Sequence, residues 1–371
     1  MAILRPFRAL RPLPESAQKV SAVPYDVVSR DEAAALARGN PLSFLHVSRA
    51  EIDLPSSIDP HSQEVYKKAR ANFDALRRES PLVVEDQPCL YVYRLRRGAH
   101  EQTGIAATFS VAEYDQGTIR KHERTRPDKE NDRTHHLLAL GAQTGPSFLG
   151  YRSTSELNDL VSRAVQQTPL FDFTAEDDVV HTLWKVSETA PWVKAFAKIP
   201  RLYIADWHHR AASSSRAHAE LARTAGSSEK DPPHAYLLAV AFPTDQLKIL
   251  PYHRVVRDLG GKSAAEFTRK LEESFHLSPM GTSEPGRGEF AMYLDGHWTL
   301  LKPKHIKPAT LDVDLLQDQV LSPLLGISDP RTNQRIEFVG GIRGTGELRR
   351  LVDDGRAAAQ FMGAIPEGQV R

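Results

Sequence analysis

The chain has 371 residues, 40% of them hydrophobic and 26% charged, a composition ordinary for a folded protein and opposed to disorder. Its 48 Lys and Arg stand against 47 Asp and Glu, a net charge of +1, whereas a general binder of nucleic acid or membrane surfaces carries a visible excess of cations. The single cysteine, Cys89, permits neither an internal disulfide nor a thiolate zinc site.

The length exceeds what one core usually fills, so two or three subdomains are expected. The first residues lack the uninterrupted apolar stretch of a signal peptide, and no segment approaches the length of a membrane span; a cytoplasmic location is expected. In Val23-Pro24-Tyr25-Asp26-Val27-Val28, Tyr25 and Asp26 are candidates for contacting a substrate, although Pro-Tyr-Asp is also ordinary turn chemistry. Residues 29–39 begin with a serine cap and end at glycine, which predicts a helix. A longer amphipathic helix is predicted over 62–79, with Val65, Ala69, Phe73 and Leu76 at helical spacing. Cys89 opens an apolar, aromatic run, and residues 90–95 and 103–111 read as a hairpin.

Directly after it comes Lys121-His122-Glu123-Arg124-Thr125-Arg126-Pro127-Asp128-Lys129-Glu130-Asn131-Asp132-Arg133. Read as a loop, this segment puts a possible general base, Glu123, beside His122 and among Arg124, Arg126, Lys129 and Arg133, cations able to clamp a polyphosphate; a solvated, self-neutralising run is the plainer alternative. A short helix over 133–141, a break at 143–146, a helix over 154–167 and a strand near 182–186 follow. Residues 201–205 read as a buried strand and 211–225 as an alanine-rich helix, which leaves Asp206-Trp207-His208-His209-Arg210 at the junction. First-turn amides and the helix dipole favour an anion there. His208, His209 and Arg210 supply donors, and Asp206 can accept a hydrogen bond or bind magnesium. Beyond a linker candidate at 226–233, strands are expected at 236–242 and 246–250, a helix at 264–275, and a hairpin of 290–294 with 298–301 turning at Asp295-Gly296. The glycine-rich 338–344 matches neither the Walker pattern nor the dinucleotide fingerprint. Interspersed helices and strands give an α+β class.

Several of these segments together carry a resemblance: Arg5-Pro6-Phe7, Pro24 to Val28, Asn40 to Val47, Lys121 to Arg133, Gln143 to Pro146, Tyr203 to Asp206 with His208-His209-Arg210, and Phe338 to Gly341. The chain resembles the family catalogued as domain of unknown function 1015, members of which are linked to SerK-type free serine kinases with a ParB/sulfiredoxin-like fold. The resemblance implies a phosphotransferase using Mg2+ and ATP or ADP, with free L-serine giving O-phosphoserine. By the same resemblance Glu123 with His122 would be the catalytic pair, Asp206 would orient the motif or hold the metal, and His208, His209 and Arg210 would bind phosphate. From their charge and spacing, Arg124, Arg126, Lys129 and Arg133 are expected to stabilise charge on the transferred phosphoryl group, with Thr125 among the nucleotide contacts. The implied layout is an N-terminal region, 1–112, a phosphate-binding core, 113–226, and a C-terminal region, 234–371. The family's glycine before the paired histidines is Trp207 here, which also admits a non-catalytic nucleotide-binding regulator. Partners would be a nucleotide and a small hydroxylated metabolite, with no membrane and no nucleic acid.

Overall fold

The computed structural model describes residues 2–79, 82–122, 125–225, 231–248, 252–280, 285–286, 288–305, 311–330, 332–340 and 344–363. Two compact units divide the chain, Met1–Leu247 and Lys248–Arg371, and each mixes helices with strands, so the α+β class holds.

In the first unit β1 (Leu4–Arg5), β2 (Leu10–Arg11) and the short α1 (Ala17–Val20) precede α2 (Arg30–Ala37). Ser29 starts α2 with a capping box. Its hydroxyl accepts from the Glu32 N–H and the Glu32 carboxylate accepts from the Ser29 N–H, which satisfies two donors the helix start leaves unpaired. After α3 (Leu45–Ser48) and α4 (Gln63–Glu79), β3 (Val83–Val84) pairs with β2. The predicted stripe of α4, Val65, Ala69, Phe73 and Leu76, is buried against Val20, Val47 and Leu140.

The hairpin of β4 (Leu90–Arg97) and β5 (His100–Ser110) begins the main sheet. Next come α5 (Val111–Asp115), β6 (Ile119–Arg120), α6 (Pro127–Leu140), β7 (Ser147–Tyr151) and α7 (Ser155–Ala164). The unit closes with β8 (Phe171–Thr174), β9 (Val180–Val186), α8 (Ala190–Phe196), β10 (Leu202–Asp206), α9 (His208–Ala225) and β11 (Tyr236–Pro243). The described strands lie in the order β6, β10, β7, β11, β5, β4, β9, β8, with β1 also on β5. β11 runs antiparallel to β5 and parallel to β7, which makes the sheet mixed.

Strand alternation gives the sheet two different faces. Leu90, Val92, Ile105 and Ala107 enter a core closed by Leu157, Leu160, Trp192 and Phe196 of α7 and α8; fully burying a side chain of this size contributes about 1.5–3 kcal/mol. The alternate residues Tyr93 and Leu95, with Phe148, Val240 and Phe242, line a chamber shared with residues of α1, α6 and α9.

Three sequence expectations are corrected here. The helix expected at 133–141 starts at Pro127, because proline at the first helical position and Asp128 and Glu130 in the first turn suit a helix start; much of the charged run is therefore helix, not loop. The alanine-rich helix starts at His208 instead of Ala211. The strand expected at 246–250 is absent among its described residues: Thr244–Gln246 form a 3-10 turn after Pro243, and Ile249 and Leu250 lie outside the described residues. The three-way division also does not coincide with the units. The first sheet draws strands from both sides of residue 112 and includes β11, beyond the expected linker, of which 226–230 lie outside the described residues.

The second unit holds β12 (Tyr252–Val256), α10 (Ala264–Ser274), β13 (Phe275–Pro279), β14 (Phe290–Leu294), β15 (His297–Pro303), α11 (Asp312–Leu316), β16 (Ile336–Gly340), α12 (Gly344–Asp353) and β17 (Ala359–Gly363). Its described strands pair antiparallel in the order β13, β15, β14, β17, β12, β16. Asp295 and Gly296 join β14 to β15 with φ of 50° and 78°, the pair of positive angles that a two-residue hairpin turn requires. Of the glycine-rich 338–344, residues 341–343 lie outside the described residues, and 338–340 end β16.

Candidate functional site

β10 delivers the chain to the first turn of α9. The Trp207 N–H donates to Asp206 Oδ1 at 2.6 Å, and Trp207 itself holds φ at 62°, a left-handed angle that costs a side chain about 1 kcal/mol or more. Glycine pays no such penalty. α9 then begins with His208, and the Arg210 N–H returns to the Trp207 carbonyl at 3.0 Å.

The two histidines meet the charged segment. The His122 ring stands edge-on to His208, with centroids 4.4 Å apart and planes at 89°. Burial first, then the neighbouring His122 and His209 imidazoles, push the His208 pKa down to about 4, so this ring is neutral at pH 7. The Arg126 N–H donates to His209 Nε2 at 3.0 Å; that nitrogen therefore carries no proton, and a neutral His209 keeps its hydrogen on Nδ1.

Arg210 goes the other way. Its Nη1 donates to the Pro146 carbonyl at 3.0 Å, and its guanidinium lies 4.2 Å from the Trp207 ring centroid and 5.5 Å from that of Tyr25. Asp26 forms an ion pair with it at 3.8 Å, too long for a hydrogen bond. Gly145 makes room, since a Cβ there would stand 2.8 Å from Arg210 Nη1. Burial lowers the Arg210 pKa, against the pull of Asp26, yet an arginine stays charged. Arg133, from α6, also lies over the Tyr25 ring, 4.1 Å from its centroid, and is paired with Asp132 at 2.6 Å. Asp132 also accepts from the Tyr66 hydroxyl at 2.9 Å and faces His61 Nδ1 at 3.0 Å. Burial opposes its ionisation, but Arg133, His61 and Tyr66 outweigh that and hold its pKa below the usual carboxylate value.

The expected cations thus separate. His122, Arg126, His208 and His209 meet at one side of the α9 start, while Tyr25, Asp26, Arg133 and Arg210 gather at the chamber. Arg126 pairs with Asp128 at 2.8 Å, the Thr125 hydroxyl donates to Glu130 at 2.7 Å, and Lys129 is exposed. Glu123 and Arg124 lie outside the described residues, between His122 and Thr125. Lys129 and Arg133 are one helical turn apart on α6, but Arg133 is taken up by Asp132 and Tyr25 while Lys129 is exposed, so the two do not act as one clamp.

The chamber has a volume of about 600 Å³, within the range that encloses a drug-sized molecule. Tyr93, Phe148, Phe173, Trp207 and Phe242 supply aromatic wall. The Tyr93 hydroxyl and His181 Nδ1 share a hydrogen bond of 2.6 Å, and burial lowers the His181 pKa. His136 Nε2 donates to the Val47 carbonyl at 2.9 Å, and burial pushes its pKa down to about 4. Both rings are therefore neutral wall at pH 7. None of these was among the sequence candidates; the available signal was the alternation Tyr91, Tyr93, Leu95, which gives β4 a second apolar face.

Among the described residues no group of three or more His, Cys, Asp or Glu is placed to hold a metal. A nucleotide's magnesium takes one or two carboxylates and fills its remaining sites with phosphate and water oxygens, a demand that Asp206 at the end of β10 fits. No described helix is long and apolar enough to cross a membrane.

Two solved structures share a weak likeness with the chain: a variant of a free serine kinase in complex with ADP, and a free serine kinase in complex with AMP. Each is 12% identical, with 71% of this chain covered, 79% and 78% of theirs respectively, and a TM-score of 0.33. No curated protein matches. The family model described as "Protein of unknown function (DUF1015)" matches residues 4–320, and over that span the chain belongs to the DUF1015 family.

Proposed function

We propose that the protein is a nucleotide-dependent phosphotransferase that uses ATP or ADP with Mg2+ to phosphorylate the hydroxyl of a small metabolite, free L-serine being the acceptor to try first. The observation that carries this reading is the seating of the charged segment on the first turn of α9, with His122 against His208 and the Arg126 N–H on His209. A helix start that attracts anions, neutral imidazoles with N–H groups to donate, and the exposed cations Arg126 and Lys129 suit a polyphosphate. Glu123, next to His122 in sequence, is assigned the role of base. The acceptor oxygen forms the new O–P bond, its proton passes to Glu123, and the donor's terminal P–O bond breaks with its electron pair leaving on the nucleotide. Asp206 would hold Mg2+, which supplies charge neutralisation at the phosphates. Arg133, committed to Asp132, has little share in this.

Incubating the protein with Mg2+, ATP or ADP, and serine, and following phosphoserine by mass spectrometry, tests the proposal. Turnover is expected, lost in Glu123→Gln while nucleotide affinity stays about the same; undiminished turnover in that variant would remove Glu123 from the mechanism. A second reading, a nucleotide-binding regulator without turnover, is favoured by one observation, the Trp207 side chain at a left-handed position where glycine would leave the backbone open to phosphate. Nucleotide binding with no product across a panel of hydroxylated metabolites would select it.

A further inference from the structure

We propose that the chamber beside α9 is the acceptor site, and that it takes a hydroxylated monocarboxylate with an apolar or aromatic body, its carboxylate held by Arg210. The proposal rests on the phosphotransferase reading for the word acceptor, and on the chamber's own chemistry for the rest.

Charge comes first. Arg133 is neutralised by Asp132 at 2.6 Å, and His136 and His181 are neutral wall. Arg210 is different. Its side chain is 13% exposed, its Nε is buried with no hydrogen-bond partner among the described residues, and its ion pair with Asp26 is a long one, at 3.8 Å. A buried guanidinium left in this state is costly, and one carboxylate oxygen on Nε or Nη2 relieves it with a charge-assisted hydrogen bond. Such a site suits a single negative charge. The several charges of a nucleotide's phosphates suit the exposed cations on the far side of the α9 start better.

Shape supplies the second half. Serine would leave most of about 600 Å³ empty, and the walls that remain are aromatic rings from β4, β7, β8 and β11 with Trp207. Water against such walls is readily displaced by an apolar group. Trp207 contributes to both halves, since its indole covers the Arg210 guanidinium at 4.2 Å and leans on Phe148 at 6.1 Å. Arg210 shares the first turn of α9 with His208 and His209, so the anchor stands within one helical turn of the proposed phosphate contacts.

Calorimetric titration of the full chain, without nucleotide, tests this with phenyllactate against lactate, which lacks the apolar body, and phenylethanol, which lacks the carboxylate. Phenyllactate is expected to bind at least about tenfold more tightly than either, and Arg210→Lys, which keeps the charge and loses the planar fork, to weaken it about tenfold. The three ligands on the unaltered chain decide the matter even if that variant folds poorly. Equal affinities, or displacement of phenyllactate by ADP, would overturn the assignment. Phenyllactate binding with no phosphorylation of it or of serine when Mg2+ and ATP or ADP are added would support the chamber and sink the kinase; phosphorylation of serine with no phenyllactate binding would do the reverse.

Discussion

His136 gives the most direct physical test of the structure. The ring, on α6, is buried against α3, its Nε2 donates to the Val47 carbonyl at 2.9 Å, and burial, with Arg133 adding to it, pushes its pKa from the ordinary 6.5 to about 4. The unfolded chain takes up this proton near pH 6.5 and the native chain only near pH 4. In that window the unfolded state binds more protons, so stability falls as the pH falls. At about 1.4 kcal/mol per pH step, lowering the pH from 6.5 to 4.5 costs roughly 2–3 kcal/mol through this residue. His136→Gln removes the titration while its amide can still donate to Val47. His208 and His253, also held near 4 by burial, contribute equally to both chains and cancel in the difference. Urea unfolding followed by tryptophan fluorescence in a Trp298→Phe background reports the first unit, which contains Trp184, Trp192 and Trp207. The glutamine variant should lose roughly 2–3 kcal/mol less than the parent between pH 6.5 and 4.5. Parallel losses in the two chains would mean that His136 is not a buried neutral ring.

Three more outcomes are expected. Trp207→Gly should be more stable than Trp207→Ala by about 1 kcal/mol, because both lose the indole and only alanine keeps the left-handed penalty at φ 62°; equal unfolding midpoints would deny the strain. Gly145→Ala, whose Cβ would stand 2.8 Å from Arg210 Nη1, should displace that guanidinium and weaken phenyllactate binding with little change in melting temperature. Unaltered affinity would show that Arg210 does not need its place against Pro146. Glu85 is buried among Arg11, Lys185 and the Tyr91 hydroxyl, at 2.5, 2.5 and 3.0 Å. Glu85→Ala should cost about 3 kcal/mol by stranding those partners, and a loss under about 1 kcal/mol in urea would show that water compensates them.

The local sequence determined what depends on near neighbours. Ser29 followed three residues later by Glu32 specifies a capping box, Asp295-Gly296 between β-formers specifies a two-residue hairpin, and the period of Val65, Ala69, Phe73 and Leu76 fixes the buried stripe of α4. Pro127 with Asp128 and Glu130 carried the same kind of signal for the start of α6, outweighed in the sequence reading by the density of charge. The strand and helix read on either side placed Asp206 to Arg210 at their junction, and α9 begins at His208. Only the tertiary structure decided where those three side chains go. Adjacent residues on a helix diverge by about 100°, and the groups that receive Arg210, Tyr25 and Pro146, come from far along the chain, as do His122 and Arg126 on the other side. The chamber is equally non-local, since it exists because alternate residues of distant strands share a sheet face that helices then cover.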